Sequence, residues 1–114
     1  MSSRTEIPPE LAEWVEKRAE LLLANARRIG VESDVRQGQP AREWLLALLD
    51  DLAAVESIAK RSVHLLTAYA LRTGAASATE VARATDVTVT AATNRGASKI
   101  ARETWAEVWP ESAR

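Results

Sequence analysis

The 114 residues carry 15 Lys and Arg against 16 Asp and Glu, a net charge of −1, and are 46% hydrophobic and 27% charged, the profile of one globular domain with a small core. The lack of cysteine and the single histidine, His64, exclude disulfides, cysteine-based zinc or iron–sulfur sites and a cysteine nucleophile. No apolar run approaches the roughly 18 residues of a membrane span, and the opening MSSRTEIPPE has no apolar leader stretch, so a cytoplasmic address is expected.

Alanine accounts for 22 residues and phenylalanine for none, a bias toward an all-α fold. The charge is uneven. Residues 1–60 hold 8 basic and 11 acidic side chains, and residues 61–114 hold 7 and 5. The C-terminal half is therefore the better candidate to approach a polyanion. The same boundary divides an N-terminal packing or dimerisation region, 1–60, from a C-terminal functional region, 61–114.

The first predicted helix spans about residues 9–29. Leu11, Trp14, Val15, Ala19, Leu22, Ala26 and Ile29 recur at steps of three and four, which line one helical face. Pro8 and Pro9 suit its start and Gly30 a position just past its end. Residues 30–40 hold two Gly and one Pro without periodicity and read as a loop.

From Ala41 to Thr73 there is no Gly or Pro. Leu48, Leu52, Val55, Ala59, Ser62, Leu66 and Tyr69 repeat every 3.5 residues, the rhythm of a bundle or coiled-coil helix. A continuous helix of this length spans about 50 Å, so either it bends near Asp50–Asp51 or it carries a partner. Leu48, Leu52, Val55, Ala59 and Leu66 are the expected dimer seam, and a core-facing bundle helix is the competing use of the same pattern. Gly74 ends the helix as a left-handed cap. A short helix, Ala78–Thr85, a turn at Asp86–Val87 and a final helix from Thr88 to Val108 complete the chain, with Pro110 closing the pattern.

The functional signal lies in the segment from Ser77 to Gly96. Two steeply crossing helices need a small residue where they approach, which Ala82 and Ala92 supply. The turn needs a residue that accepts positive φ, which Asp86 can. Val87 fills the space under the turn, and Thr88 is placed to cap the helix that follows. Gly74, Ser77, Glu80, Val81, Ala82, Val87, Thr88, Ala91 and Ala92 together resemble the helix-turn-helix of short bacterial DNA-binding proteins, including the type that ends sigma factors. The resemblance covers about residues 74–109. Thr85 and Asp86 stand where that family usually has Leu and Gly.

The resemblance implies a trihelical unit, begun by the end of the long helix, whose last helix enters the DNA major groove. Val89, Thr90, Thr93 and Asn94 are then the base-reading positions: Asn pairs with adenine, and Thr and Val methyls meet the thymine methyl. Arg83, Thr88, Arg95, Lys99 and Arg102 are the implied phosphate contacts, with Arg95 and Lys99 one turn apart; such contacts supply affinity and register. The Thr content of the segment runs against helix propensity in an Ala- and Leu-rich chain, and local rules are broken most often at functional positions.

An ordinary solvated helix face has the same composition, and a helical protein-interaction module working through its N-terminal helices is the competing reading. His64 reads as packed or solvent-facing. Asp50 and Asp51 diverge on a helix and form no catalytic dyad, and no phosphate loop, dinucleotide-binding or nucleophile-elbow motif occurs. No enzyme activity, metal or cofactor is expected. Trp14 and Trp44 fit apolar helix faces, and Trp105 and Trp109, four apart, are expected to pack against the C-terminal helices or helix 1. The sequence thus points to a homodimeric reader of double-stranded DNA, two copies being the means by which a small, weakly basic unit gains affinity.

Overall fold

The computed structural model describes residues 6–113; residues 1–5, on which part of the leader argument rests, and residue 114 lie outside the described residues. The described residues form five α-helices and no strand: α1 (Pro9–Glu32), α2 (Ala41–Thr73), α3 (Ala78–Thr85), α4 (Val89–Gly96) and α5 (Lys99–Val108), followed by a 3₁₀ turn, Pro110–Ala113. No helix is long and apolar enough to cross a membrane among these residues.

The prolines open α1 as expected. Pro8 has its carbonyl free to accept from the Ala12 amide at 3.0 Å. The far end differs from expectation: α1 runs through Gly30 to Glu32. Nothing crowds or bends the chain at Gly30, and the stop comes from Ser33, whose hydroxyl donates to the Gly30 carbonyl at 2.9 Å and satisfies one of the acceptors a helix end leaves open. The 33 residues of α2 form one helix through Asp50–Asp51. Gly74 follows it with φ 74°, the left-handed cap that glycine adopts without steric cost.

The expected single helix from Thr88 to Val108 is two helices, broken at Ala97–Ser98. Ser98 caps α5 by accepting from the Ala101 amide at 3.0 Å, and its hydroxyl lies 2.7 Å from His64 Nδ1 on α2. His64 is thus a partner of the cap that breaks the helix. Gly96 explains why the break is tolerated at this place. A Cβ there would lie 3.1 Å from Leu71 Cδ1 and 3.6 Å from the Ala68 Cα, so glycine lets the end of α4 approach α2 without pushing Leu71 aside.

The chain divides into two compact units. One joins the N-terminal stretch up to Val15 with Arg61 onward, and the other is Glu16–Lys60. In the first, Leu11, Trp14, Leu65 and Val108 form the core, with Tyr69, Trp105 and Trp109 packed on it. The Trp105 and Trp109 rings lie 4.6 Å apart, and Tyr69 stacks on Trp109 at 5.8 Å. The Arg72 guanidinium sits 4.3 Å from the Trp105 ring, a cation–π contact. The indole N–H groups find carboxylates, Trp14 donating to Glu107 at 3.2 Å and Trp109 to Glu10 at 3.0 Å, as buried and half-buried tryptophans favour. Arg61 pairs with the other oxygen of Glu107.

The Glu16–Lys60 unit is a helical hairpin with the opposite character. Its only buried residues are Asn25 and Asp51. Asn25 donates to the Leu21 carbonyl at 2.8 Å and accepts from Arg28 at 2.9 Å, and Arg28 lies 3.6 Å from Asp51. Glu32 Oε2 and Asp51 Oδ2 are both covered and lack conventional partners. A hydrogen bond to Asp51 raises the Glu32 pKa above the ordinary carboxylate value, with burial adding to the effect.

Candidate nucleic-acid interface

Three successive Ser or Thr caps define the C-terminal elements. Ser77 opens α3 with a full capping box. Its hydroxyl accepts from the Glu80 amide at 3.1 Å, while the Glu80 carboxylate accepts from the Ser77 amide at 2.9 Å, so two free donors are satisfied reciprocally. These hydrogen bonds, the backbone one foremost, hold the Glu80 carboxyl below its usual pKa. At the other end Asp86 takes φ 55° and ψ 47°, as the sequence anticipates, and the Val87 amide reaches back to the Ala82 carbonyl at 3.0 Å. That six-to-one bond across a left-handed residue is a Schellman closure. It turns the chain within three residues from α3 to α4, and the two helices pack on each other.

Thr88 then caps α4, its hydroxyl accepting from the Ala91 amide at 3.1 Å. The inward side of α4 is made of small residues: Ala92 is fully buried and Gly96 meets Leu71, Thr67 and Ala68 of α2. Seating that side turns the other outward. Val89, Thr90, Thr93 and Asn94 are all exposed. They form two i, i+4 pairs on one face. Thr93 donates its hydroxyl to the Val89 carbonyl at 2.9 Å, which leaves its methyl group and the oxygen lone pairs facing out. The Thr88 hydroxyl, used as an acceptor by the cap, keeps its proton for an outside acceptor.

The basic residues are more dispersed than the sequence suggests. Arg83 lies on α3, Arg95 on α4, and Lys99 and Arg102 on α5. Arg95 and Lys99 therefore do not share one helical stripe, a correction that follows from the break at Ser98. Arg83, Lys99 and Arg102 are exposed and Arg95 is half-buried. Lys99 lies 3.8 Å from Glu103, and Arg102 donates to the Ala97 carbonyl at 2.8 Å. Between Ser77 and Glu103 there are four basic and three acidic residues, a surface close to neutrality.

Of the residues expected along the seam of α2, Leu52 and Leu66 are exposed, while Leu48, Val55 and Ala59 are half-covered. Leu66 also borders an apolar hollow of about 190 Å³ lined by Val63, Thr67, Val81, Ala84 and Thr85. Thr85 lies where the resembled family carries Leu, and its hydroxyl donates to the Val81 carbonyl at 2.8 Å. The shorter side chain accounts for part of that hollow. Sequence reasoning missed the pairing of His64 with Ser98, since it joins residues 34 apart; the Gly-Ala-Ser run before Lys99 was the local signal for the break. Among the described residues no group of three or more potential ligands is arranged to hold a metal. Comparison of the chain with known protein families, curated proteins and solved structures yields no match.

Proposed function

We propose that this chain is a sequence-specific reader of double-stranded DNA, acting as a homodimeric transcriptional regulator or a plasmid- or phage-type accessory protein in the cytoplasm, and not an enzyme. In this reading α3, the Asp86 turn and α4 are a helix-turn-helix, and α4 enters the major groove. The observation that carries it is the polarity of α4. Its inner side is reduced to Ala92 and Gly96 and held against α2, and its outer side displays Val89, Thr90, Thr93 and Asn94 from a capped N-terminus. Asn94 offers paired donor and acceptor groups to adenine, and the Thr and Val methyls offer contact to thymine. Arg83, Thr88, Arg95, Lys99 and Arg102 are the proposed phosphate contacts. The near-neutral surface makes a single copy a weak binder, so two copies on successive major grooves are the working form.

Electrophoretic shift against genomic fragments at low and moderate salt tests the proposal. Retardation of a subset of fragments is expected. Replacing Thr90 and Asn94 by Ala is expected to cost about 1–3 kcal/mol per lost base contact and to relax sequence preference at the contacted positions, with helicity unchanged. Failure to retard any fragment at low salt refutes it. The near-neutral interface and the exposed leucines of α2 favour a second reading, a helical protein-interaction module without DNA binding. In that case the Thr90 and Asn94 replacements leave partner binding intact.

A further inference from the structure

The Glu16–Lys60 hairpin buries no apolar side chain, yet α2 carries Leu45, Leu46, Leu49 and Leu52 on its surface at 48–58% exposure. At about 100° per residue, all four project within about 60° of Leu49. Arg42 and Glu56 bracket them seven residues to either side of Leu49, and both are exposed. At about 1.5 Å per residue each charge lies about 10.5 Å from Leu49 along the axis, rotated only about 20° from it in opposite senses. Among the described residues neither charge pairs within the chain.

This stripe is antisymmetric in charge and nearly symmetric in its leucines about one residue. A two-fold partner must present the same patch to itself. We propose that the Leu49 face of α2 binds a second copy of this chain with the two α2 helices antiparallel, the Leu49 side chains meeting at the two-fold axis. Leu46 of each copy then lies against Leu52 of the other, and Arg42 of each lies beside Glu56 of the other. A parallel pairing in register sets Arg42 against Arg42 and Glu56 against Glu56, which like-charge repulsion disfavours. The charges select orientation and the leucines supply the apolar area removed from water. The seam expected from the 3.5-residue rhythm shares only Leu52 with this face. The proposal deepens the DNA reading and rests on it for the use of the dimer; the surface itself is read without nucleic acid.

The chain has no cysteine, so an introduced one reports alone. Sedimentation of the wild-type chain without DNA is expected to give a dimer. Oxidation of Leu49→Cys is expected to link the copies, Arg42→Cys alone is not, and the Arg42→Cys, Glu56→Cys pair is. Arg42→Glu is expected to weaken the dimer, and adding Glu56→Arg to restore it. A chain that stays monomeric at high micromolar concentration overturns the proposal, as does a dimer that Arg42→Cys links as readily as Leu49→Cys. A dimer of the expected linkage that shifts no DNA supports this surface and contradicts the DNA reading; a monomer that shifts DNA does the reverse.

Discussion

The Glu16–Lys60 hairpin and the remainder of the chain draw on the same helix-forming residues and bury opposite things. Every buried hydrophobic side chain, from Leu11 to Val108, belongs to the unit completed by Arg61 onward. The hairpin buries Asn25 and Asp51 and leaves most of its leucines outside. In the first unit, alanines and one glycine let short capped helices approach closely, and an aromatic cluster closes the end. In the second, Arg28 of α1, itself bonded to Asn25, reaches Asp51 of α2. A unit with an apolar core of its own can present polar side chains on α4, whereas one without such a core presents an apolar face for something to cover.

The largest expected effect tests the core of the first unit. Leu65 is fully buried, so Leu65→Ala should cost about 2–5 kcal/mol, read as a loss of thermal stability. Gly96→Val should cost about 1–3 kcal/mol through overpacking, because its branches must displace Leu71 or the α2 backbone at Ala68; calorimetry checks this. Thr85→Leu works in the other direction. By filling the hollow beside Val63 and Val81 it should raise stability by about 0.5–2 kcal/mol, seen as a higher chemical denaturation midpoint.

The hairpin should answer to pH instead. The folded pKa of Glu32 lies above its ordinary value, so its protonated form stabilises fully below the ordinary carboxylate pKa, about 4.3. That contribution fades as pH rises through the raised value. Glu32→Gln keeps a donor toward Asp51 at every pH, so its melting temperature should fall less than that of the wild type between about pH 4 and neutrality. The smallest effect is expected at Leu49. In dilute solution, where copies are apart, Leu49→Ala should change stability by no more than about 0.5 kcal/mol, because the side chain is exposed. A large loss there would place a core where the hairpin has none.

Much of the helix layout was legible locally. The uninterrupted run from Ala41 to Thr73 and the short helix Ala78–Thr85 have the expected bounds, since Gly74, Ser77 and Asp86 act within a few residues. The division between α4 and α5 was legible only in part. Gly96 and Ser98 are local signals, but His64 and the approach of α2, which fix the break, are far away in sequence. The exposed leucines of α2 were hidden for a related reason. Periodicity marks two adjacent apolar stripes on that helix, and the approach of Arg28 and Glu32 of α1 to Asp51 is a pairing between residues far apart in sequence that periodicity does not show. For the candidate interface, the exposure of Val89, Thr90, Thr93 and Asn94 follows from the small residues opposite them. The scatter of Arg95, Lys99 and Arg102 over two helices does not.

The most direct test of DNA reading by α4 is an amide nuclear magnetic resonance titration of the chain with a duplex selected from random sequence. The account predicts shifts concentrated from Thr88 to Arg95, with smaller ones at Arg83, Lys99 and Arg102. Selection that enriches no sequence, or shifts that spare α4 and gather elsewhere, would contradict it.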